Sequence, residues 1–406
     1  MRINKASGTA PAAVILGGGM NGLGAVRSFA HAGIRSTVVN IGRDEVTASR
    51  HCSYFRVSTF DGEAFVSELL RLRERLPRGG VLICGDDRPL LTLSRYRDLL
   101  APHFRFELPP HQLLENLVHK LPFFQMARQG GFAVLETLLL RRHCELSRLR
   151  DLRLPLCVKS NGRSPIYDGA FQKAHRVTSQ QEAQALCSRV LDVAGEVIVQ
   201  EWIEGPNDAI CFVLCCLGGP NPVVFTGRKG RSWPEQVGTT ASCWAAPEVA
   251  GELEEATIRF FHHIGVAQGL ASMEFKRDAR DGRFYMVEPT VGRVDSQEEI
   301  AALCGVNLCH IAYCDAAGLV RPHLRLDPTH VWRNELTDFR AARSLGTSCL
   351  YPPGHYIHNA FWRWNDPFPA ILAVSHTAKN AVRRILSSRR RPLLRPAKAI
   401  TEPRIW

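Results

Sequence analysis

Two apolar runs, Ser272-Met273-Glu274-Phe275-Lys276 and Phe284-Tyr285-Met286-Val287-Glu288-Pro289, flank the turn dipeptide Asp281-Gly282. Asp-Gly between such runs is a hairpin signal, because glycine supplies the positive φ that tight hairpin turns require. A hairpin centred on residue 281 sets Glu274 directly opposite Glu288, since both lie seven positions from it. Opposed residues share a sheet face, with Cβ atoms about 5 Å apart. Two carboxylates there repel unless a cation stands between them, and hard oxygen ligands suit Mg²⁺ or Mn²⁺ bridging substrate phosphates. A lysine or arginine would neutralise them equally well, so a charge cluster on a solvated sheet face is the alternative.

Strand signals continue upstream. Ala209 to Thr226 reads as a second hairpin around Gly218-Gly219-Pro220-Asn221-Pro222, and the helix Gly251 to His263 separates the two. Val197-Ile198-Val199-Gln200 and Leu156-Cys157-Val158-Lys159 read as strands, with a helix between them opened by the capping-box pattern Ser179-x-x-Glu182. A helix is expected over Gln112 to Gln129. Leu108-Pro109-Pro110 marks a boundary, because the prolines remove backbone donors and bias their predecessors away from helix. Before it, Ala13–Leu16, the glycine turn Gly17-x-Gly19-x-x-Gly22, the helix Leu23–Ala32 and the strand Thr37–Val39 form a βαβ opening. A helix from Gly62 to about Arg75, with Asp61 as N-cap, and the strand Val81–Cys84 complete a small parallel α/β domain. The fold class is therefore α/β passing into α+β.

The glycine turn admits a nicotinamide oxidoreductase as one reading. That site also wants an acidic residue at the end of the second strand for the ribose hydroxyls, and Asn40 stands there, so a tight turn without a dinucleotide is favoured. Lys159 ends an apolar strand and is followed by Ser160-Asn161-Gly162, a place where an ammonium meets a phosphate; Lys120 and Lys229 read singly as surface charges. The strand end Val199-Gln200-Glu201-Trp202-Ile203-Glu204-Gly205-Pro206 leaves free backbone groups beside an apolar wall, as an adenine edge requires. A metal module built from Cys304, Cys309, His310 and Cys314 is disfavoured because no second ligand pair follows; packed core thiols are expected.

In this order, from about residue 12 to 320, the chain resembles the ATP-grasp superfamily, and within it the carboxylate–amine ligases of the D-alanine–D-alanine ligase type. The resemblance implies a Rossmann-like pre-ATP-grasp domain (1–110) followed by a two-subdomain ATP-grasp fold (111–200 and 201–320), with a C-terminal extension (321–378) and a basic tail (379–406). It implies that Lys120 and Lys159 contact the phosphates of ATP, that backbone groups around Glu201, Trp202 and Ile203 hold adenine, and that Asn207 or Asp208 reaches the ribose. Glu274 and Glu288 would carry Mg²⁺ or Mn²⁺, and Arg293 would stabilise the transferring phosphoryl group. Thr290 stands where the family usually has asparagine and would be a neutral, weaker metal partner, with Asp295 as a compensating carboxylate. The phosphate loop Asn161–Lys173 holds only Gly162 and Gly169. The implied activity is ATP-dependent joining of a carboxylate to an amine through an acylphosphate; a nucleotide-binding scaffold without catalysis is the alternative that Thr290 motivates. Arg228, Lys229 and Arg231 are candidates to bind an acidic substrate, against the alternative of a solvated basic loop.

Composition bounds the rest. The 406 residues are 45% hydrophobic and 22% charged, enough for several domains and unlike collagen-like or disordered chains. The 13 cysteines are odd in number and never in a CxxC pair, which favours a reducing, cytoplasmic setting. No signal peptide is read, and the longest uncharged run, Ala209 to Gly227, is broken by its turn. The formal charge is +12, of which nine basic residues and one acidic residue from Lys379 to Trp406 supply +8, leaving +4 for the body. No nucleic acid partner is expected. The tail follows Phe361-Trp362-Arg363-Trp364 and the apolar Phe368–Val374, so peripheral contact with an anionic membrane is one expectation and simple solvation the other.

Overall fold

A computed structural model describes residues 10–161, 164–235, 238–346 and 351–389, the last ten of these as backbone only. Three sheets organise them. The first is parallel, in the order Cys52–Arg56, Ser36–Asn40, Ala12–Leu16, Gly80–Cys84, Phe104–Arg105. The second is antiparallel, in the order Thr137–Leu140, Val197–Glu201, Leu156–Lys159, Ala174–Val177. The third has seven strands: Phe284–Val291, Gly269–Arg277, Ile210–Leu217, Val223–Trp233, Thr239–Ala245, His330–Arg333 and Tyr356–Asn359, antiparallel except for the last pair. The two strands at its far edge come from the segment 321–378.

Burial explains how these layers relate. Val14, Leu16, Leu82 and Cys84 of the first sheet share one apolar core with Val213, Cys215, Met273 and Phe275 of the third and with Phe260 and Phe261 of the helix Ala250–His263. The second sheet instead has a core of its own, Leu156, Val158, Val197 and Val199 against Ala183, Cys187, Val190 and Leu191 of the helix Gln180–Ala194. The second and third sheets thus have separate cores, and Lys159 ends a strand of the second.

Local sequence signals act with small differences. Ser179 accepts from the N–H of Glu182 as its pattern predicts, but the return bond from Glu182 goes to the N–H of Thr178. Asp61 precedes the helix Gly62–Glu74 without capping it; its carboxylate pairs with Arg88 instead. The expected helix over 112–129 is two helices, His111–Val118 and Lys120–Gln129, because His119 adopts an extended conformation. The break sets Lys120 at a helix start, where its N–H bonds the carbonyl of Asn161 at 3.0 Å.

The glycine turn has a structural purpose. Gly17 has φ 102°, and a Cβ on Gly22 would stand 2.8 Å from the carbonyl oxygen of Gly17. The helix Gly19–His31 begins with the N–H of Gly19 bonded to Asp44 at 3.0 Å, and Asn40 donates to the same Asp44 oxygen at 2.9 Å. A carboxylate of the chain thus occupies the helix N-terminus that a dinucleotide pyrophosphate would need, and the nicotinamide reading has no support from this turn.

Candidate active site

The strands Gly269–Arg277 and Phe284–Val291 pair with Glu274 opposite Glu288 and Ser272 opposite Thr290. The register then shifts by one, Phe275 facing Met286, so Val287 is a bulge residue. Period-2 alternation therefore puts Ser272, Glu274, Glu288 and Thr290 on one face. Each glutamate already has a lysine: Lys120 Nζ lies 3.2 Å from Glu288, and buried Lys229 pairs with Glu274. Desolvation pulls the Glu288 carboxyl upward, but Lys120, Lys173 and Lys159 outweigh it and hold it down at about 2. The carboxylate is ionised at any physiological pH.

On the second sheet, Lys159 donates to Gln200 Oε1 at 2.9 Å and lies 5.3 Å from the centre of the Phe124 ring. Gln200 in turn donates to Thr137 at 2.9 Å, so the amide is fixed and fixes the ammonium. Burial lowers the pKa of Lys159, which leaves its charge poorly solvated and receptive to an anion. At the strand end, the N–H of Glu201 bonds Glu136, and Trp202 is held on both sides, its N–H by Pro155 at 2.8 Å and its carbonyl by Arg280 at 2.8 Å. Among the described residues the N–H of half-buried Ile203 has no backbone partner. Lys276 and Arg176 both lie over the Trp202 ring, at 5.1 and 5.9 Å. Beyond the hinge, Asn207 is buried and Asp208 exposed in a short turn.

Arg293 follows the second carboxylate strand, and the N–H of Val294 bonds the carbonyl of Cys84 at 3.0 Å. The Arg293 guanidinium pairs with Asp87 at the end of the first parallel sheet. Thr290 donates weakly to Asp295 at 3.5 Å, and Ser272 donates to the same oxygen at 2.9 Å. Among the described residues no cluster of three or more His, Cys, Asp and Glu side chains forms a self-sufficient metal site. Two opposed glutamates nevertheless fit a Mg²⁺ that takes its other ligands from phosphates. Cys304, Cys309 and Cys314 are buried core residues.

The basic trio requires a correction. Residues Gly227 to Arg231 are not a loop but the middle of the strand Val223–Trp233, so alternation and bulges send the side chains apart. Arg228 pairs with Glu248 at 2.6 Å, and Lys229 turns to Glu274. Arg231 is buried and bidentate to Asp338 at 2.7 and 2.8 Å, with Tyr351 against the same carboxylate. It holds the helix Glu335–Ser344 to the sheet and is not placed to bind substrate. Arg231→Ala is expected to cost about 3–5 kcal/mol of stability by stranding Asp338 in the interior. Thermal unfolding by circular dichroism checks this, and a loss of activity at unchanged Tm would return Arg231 to the substrate site.

Three site residues escape the sequence reading: Lys173, Gln200 and Lys276. Each carries only a common polar type, and its relevance comes from the fold bringing it against Glu288, Lys159 or Trp202.

The fold itself recurs in solved structures. The N5-carboxyaminoimidazole synthetase of Staphylococcus aureus, in complex with ADP, superposes with a TM-score of 0.60 at 15% identity, covering 78% of this chain and 80% of that one. The L-amino acid ligase of Bacillus licheniformis gives 0.59 at 17%, covering 79% and 78%. The chain has the ATP-grasp fold. A curated relative, the D-aspartate ligase of Enterococcus faecium (strain Aus0004), is 22% identical over 324 residues, covering 73% of the chain and 74% of that protein. No family model matches the chain.

Proposed function

We propose that the protein is an ATP-dependent ligase that joins a carboxylate to an amine, converting ATP to ADP and phosphate. The observation that carries this is the facing pair Glu274 and Glu288, each neutralised by a lysine, opposite Lys159 on the other sheet. The D-aspartate ligase and the L-amino acid ligase among its relatives support the same reading.

The N–H of Ile203 would donate to an adenine ring nitrogen, Asn207 or Asp208 would reach the ribose hydroxyls, and Lys120 and Lys159 would contact the phosphates. Glu274 and Glu288, with Thr290 as a neutral neighbour, would hold Mg²⁺ or Mn²⁺. The ion supplies neutralisation of the phosphate charge, the larger part of what phosphoryl transfer needs. As ATP binds, Lys120 and Lys229 exchange part of their pairing with the glutamates for the incoming anion. A substrate carboxylate oxygen then attacks the γ-phosphorus, and the bond from that phosphorus to ADP breaks. Arg293, which follows the strand of Glu288 and is held by Asp87, would stabilise the charge that develops. The amine attacks the acyl carbon, loses its proton and expels phosphate, forming the amide. No nucleophilic side chain is required. The 12 described cysteines are unpaired, and all but Cys144 are buried, which fits the reducing cytoplasm we assign to it.

The test is phosphate release from ATP and Mg²⁺ across a panel of amino acids and short peptides. ADP and phosphate are expected only when an acceptable carboxylate and amine are both present. AMP with pyrophosphate would contradict the reading, and ATP binding without release under every mixture would assign the scaffold alternative.

A further inference from the structure

Beyond the site, the strongest unexplained feature is an apolar face near the C-terminal end of the described chain. The helix Phe368–Arg389 packs inward through buried Ala370 and Ala373, and His376 meets Glu45 at 2.9 Å. Its other side carries Phe368, Ile371 and Val374 at three-residue spacing, exposed to 57, 57 and 58%. Just before it stand Trp364, 90% exposed, and Trp362, the two rings edge to face at 5.5 Å.

This exposure is held in place. Between the tryptophans and the helix, buried Asp366 accepts from Ser49 Oγ at 2.8 Å, from the N–H of Arg50 at 2.9 Å and from Arg27. Arg363 donates to buried Glu299 at 2.7 Å, and Arg27 also donates to the carbonyl of Phe361 at 2.9 Å. A charged network of Arg27, Ser49 and Arg50 from the first parallel domain, joined by Glu299, thus fixes the turn that presents the rings. Tethering of this kind orders side chains that have nothing apolar to cover them, and a contiguous exposed apolar face marks an interaction surface.

The sequence that follows selects the partner. Nine basic residues and one acidic residue lie between Lys379 and Trp406, a local charge of +8. We propose that this face and the basic chain beyond it seat the protein on an anionic lipid bilayer, with the rings and aliphatic groups entering the headgroup boundary and the basic residues meeting the lipid phosphates. Nucleic acid would use the charge and the rings but has no use for a branched aliphatic stripe. A second copy would bring +8 against +8. Among the described residues no helix is long and apolar enough to cross a membrane, so the contact is peripheral.

Flotation of the full chain with phosphatidylcholine vesicles, with and without phosphatidylglycerol, tests this. Binding is expected only with phosphatidylglycerol and should weaken as salt rises. The combined variant Trp364→Ser, Phe368→Ser, Ile371→Ser, Val374→Ser, and separately a chain ending at Ala378, should each bind at least about tenfold less, since neither a lone apolar nor a lone basic signal anchors stably. ATP turnover and circular dichroism should not change in either. Equal binding to neutral vesicles, or unchanged binding by the apolar variant, would overturn the proposal. So would vesicle-free self-association that the apolar variant abolishes, or tighter binding to duplex DNA or RNA than to the anionic vesicles.

Discussion

Glu288→Gln is expected to leave the protein folded and to lower turnover about a thousandfold, the loss of several kcal/mol of charge stabilisation at the transferring phosphoryl group. The amide keeps the volume and one acceptor oxygen but not the charge that Lys120, Lys159 and Lys173 hold ionised. A folding defect does not hide the effect, because the Glu288 side chain is 54% exposed and supports little packing. The same substitution should raise the Mg²⁺ concentration needed for half-maximal rate. Linkage gives a second readout. A carboxyl held below its unfolded value contributes stability that is present above the ordinary glutamate range and is lost as pH falls toward about 2. The variant should therefore lose part of the native chain's pH dependence of Tm below the ordinary glutamate range, and the remaining lysines should repel one another. Full turnover with unchanged Mg²⁺ dependence would remove Glu288 from the metal site.

Lys159→Ala should reduce kcat/KM for ATP about a hundredfold, which corresponds to about 3 kcal/mol for a charge-assisted hydrogen bond. It also leaves Gln200 Oε1 without the ammonium that now satisfies it. Gln200→Leu separates contact from positioning: the ammonium stays but loses its tether, so KM for ATP should rise with a smaller change in kcat. If both variants bound ATP as the native protein does, by isothermal titration, the phosphate role of Lys159 would fall.

The legibility of the chain followed how local each signal was. Glu274 and Glu288 were readable because a hairpin turns sequence distance into register, and Asp281-Gly282 fixed the centre. The bulge at Val287 escaped, since one extra residue in a strand leaves no mark in an apolar run. The Gly17–Gly22 turn was recognisable, but what fills its helix N-terminus is Asp44, a residue that only the return of the chain after Asn40 brings there. The trio Arg228, Lys229 and Arg231 was legible as a basic cluster flanked by Gly227 and Gly230, but its place in the middle of a strand was not. In the sheet those glycines are required by neighbours: a Cβ on Gly227 would meet the Phe212 ring, and one on Gly230 the Trp244 ring. Gln200 and Lys276 could not be picked out, because their roles arise from cross-strand and cross-sheet contacts between segments far apart in sequence.

The central claim is that ATP activates a carboxylate as an acylphosphate. Its most direct measurement follows ¹⁸O from a labelled carboxylate substrate during turnover with an amine. One labelled oxygen is expected to appear in inorganic phosphate, because the oxygen that attacks the γ-phosphorus leaves with it when the amide forms. Label recovered in AMP, or unlabelled phosphate alongside amide product, would contradict the account.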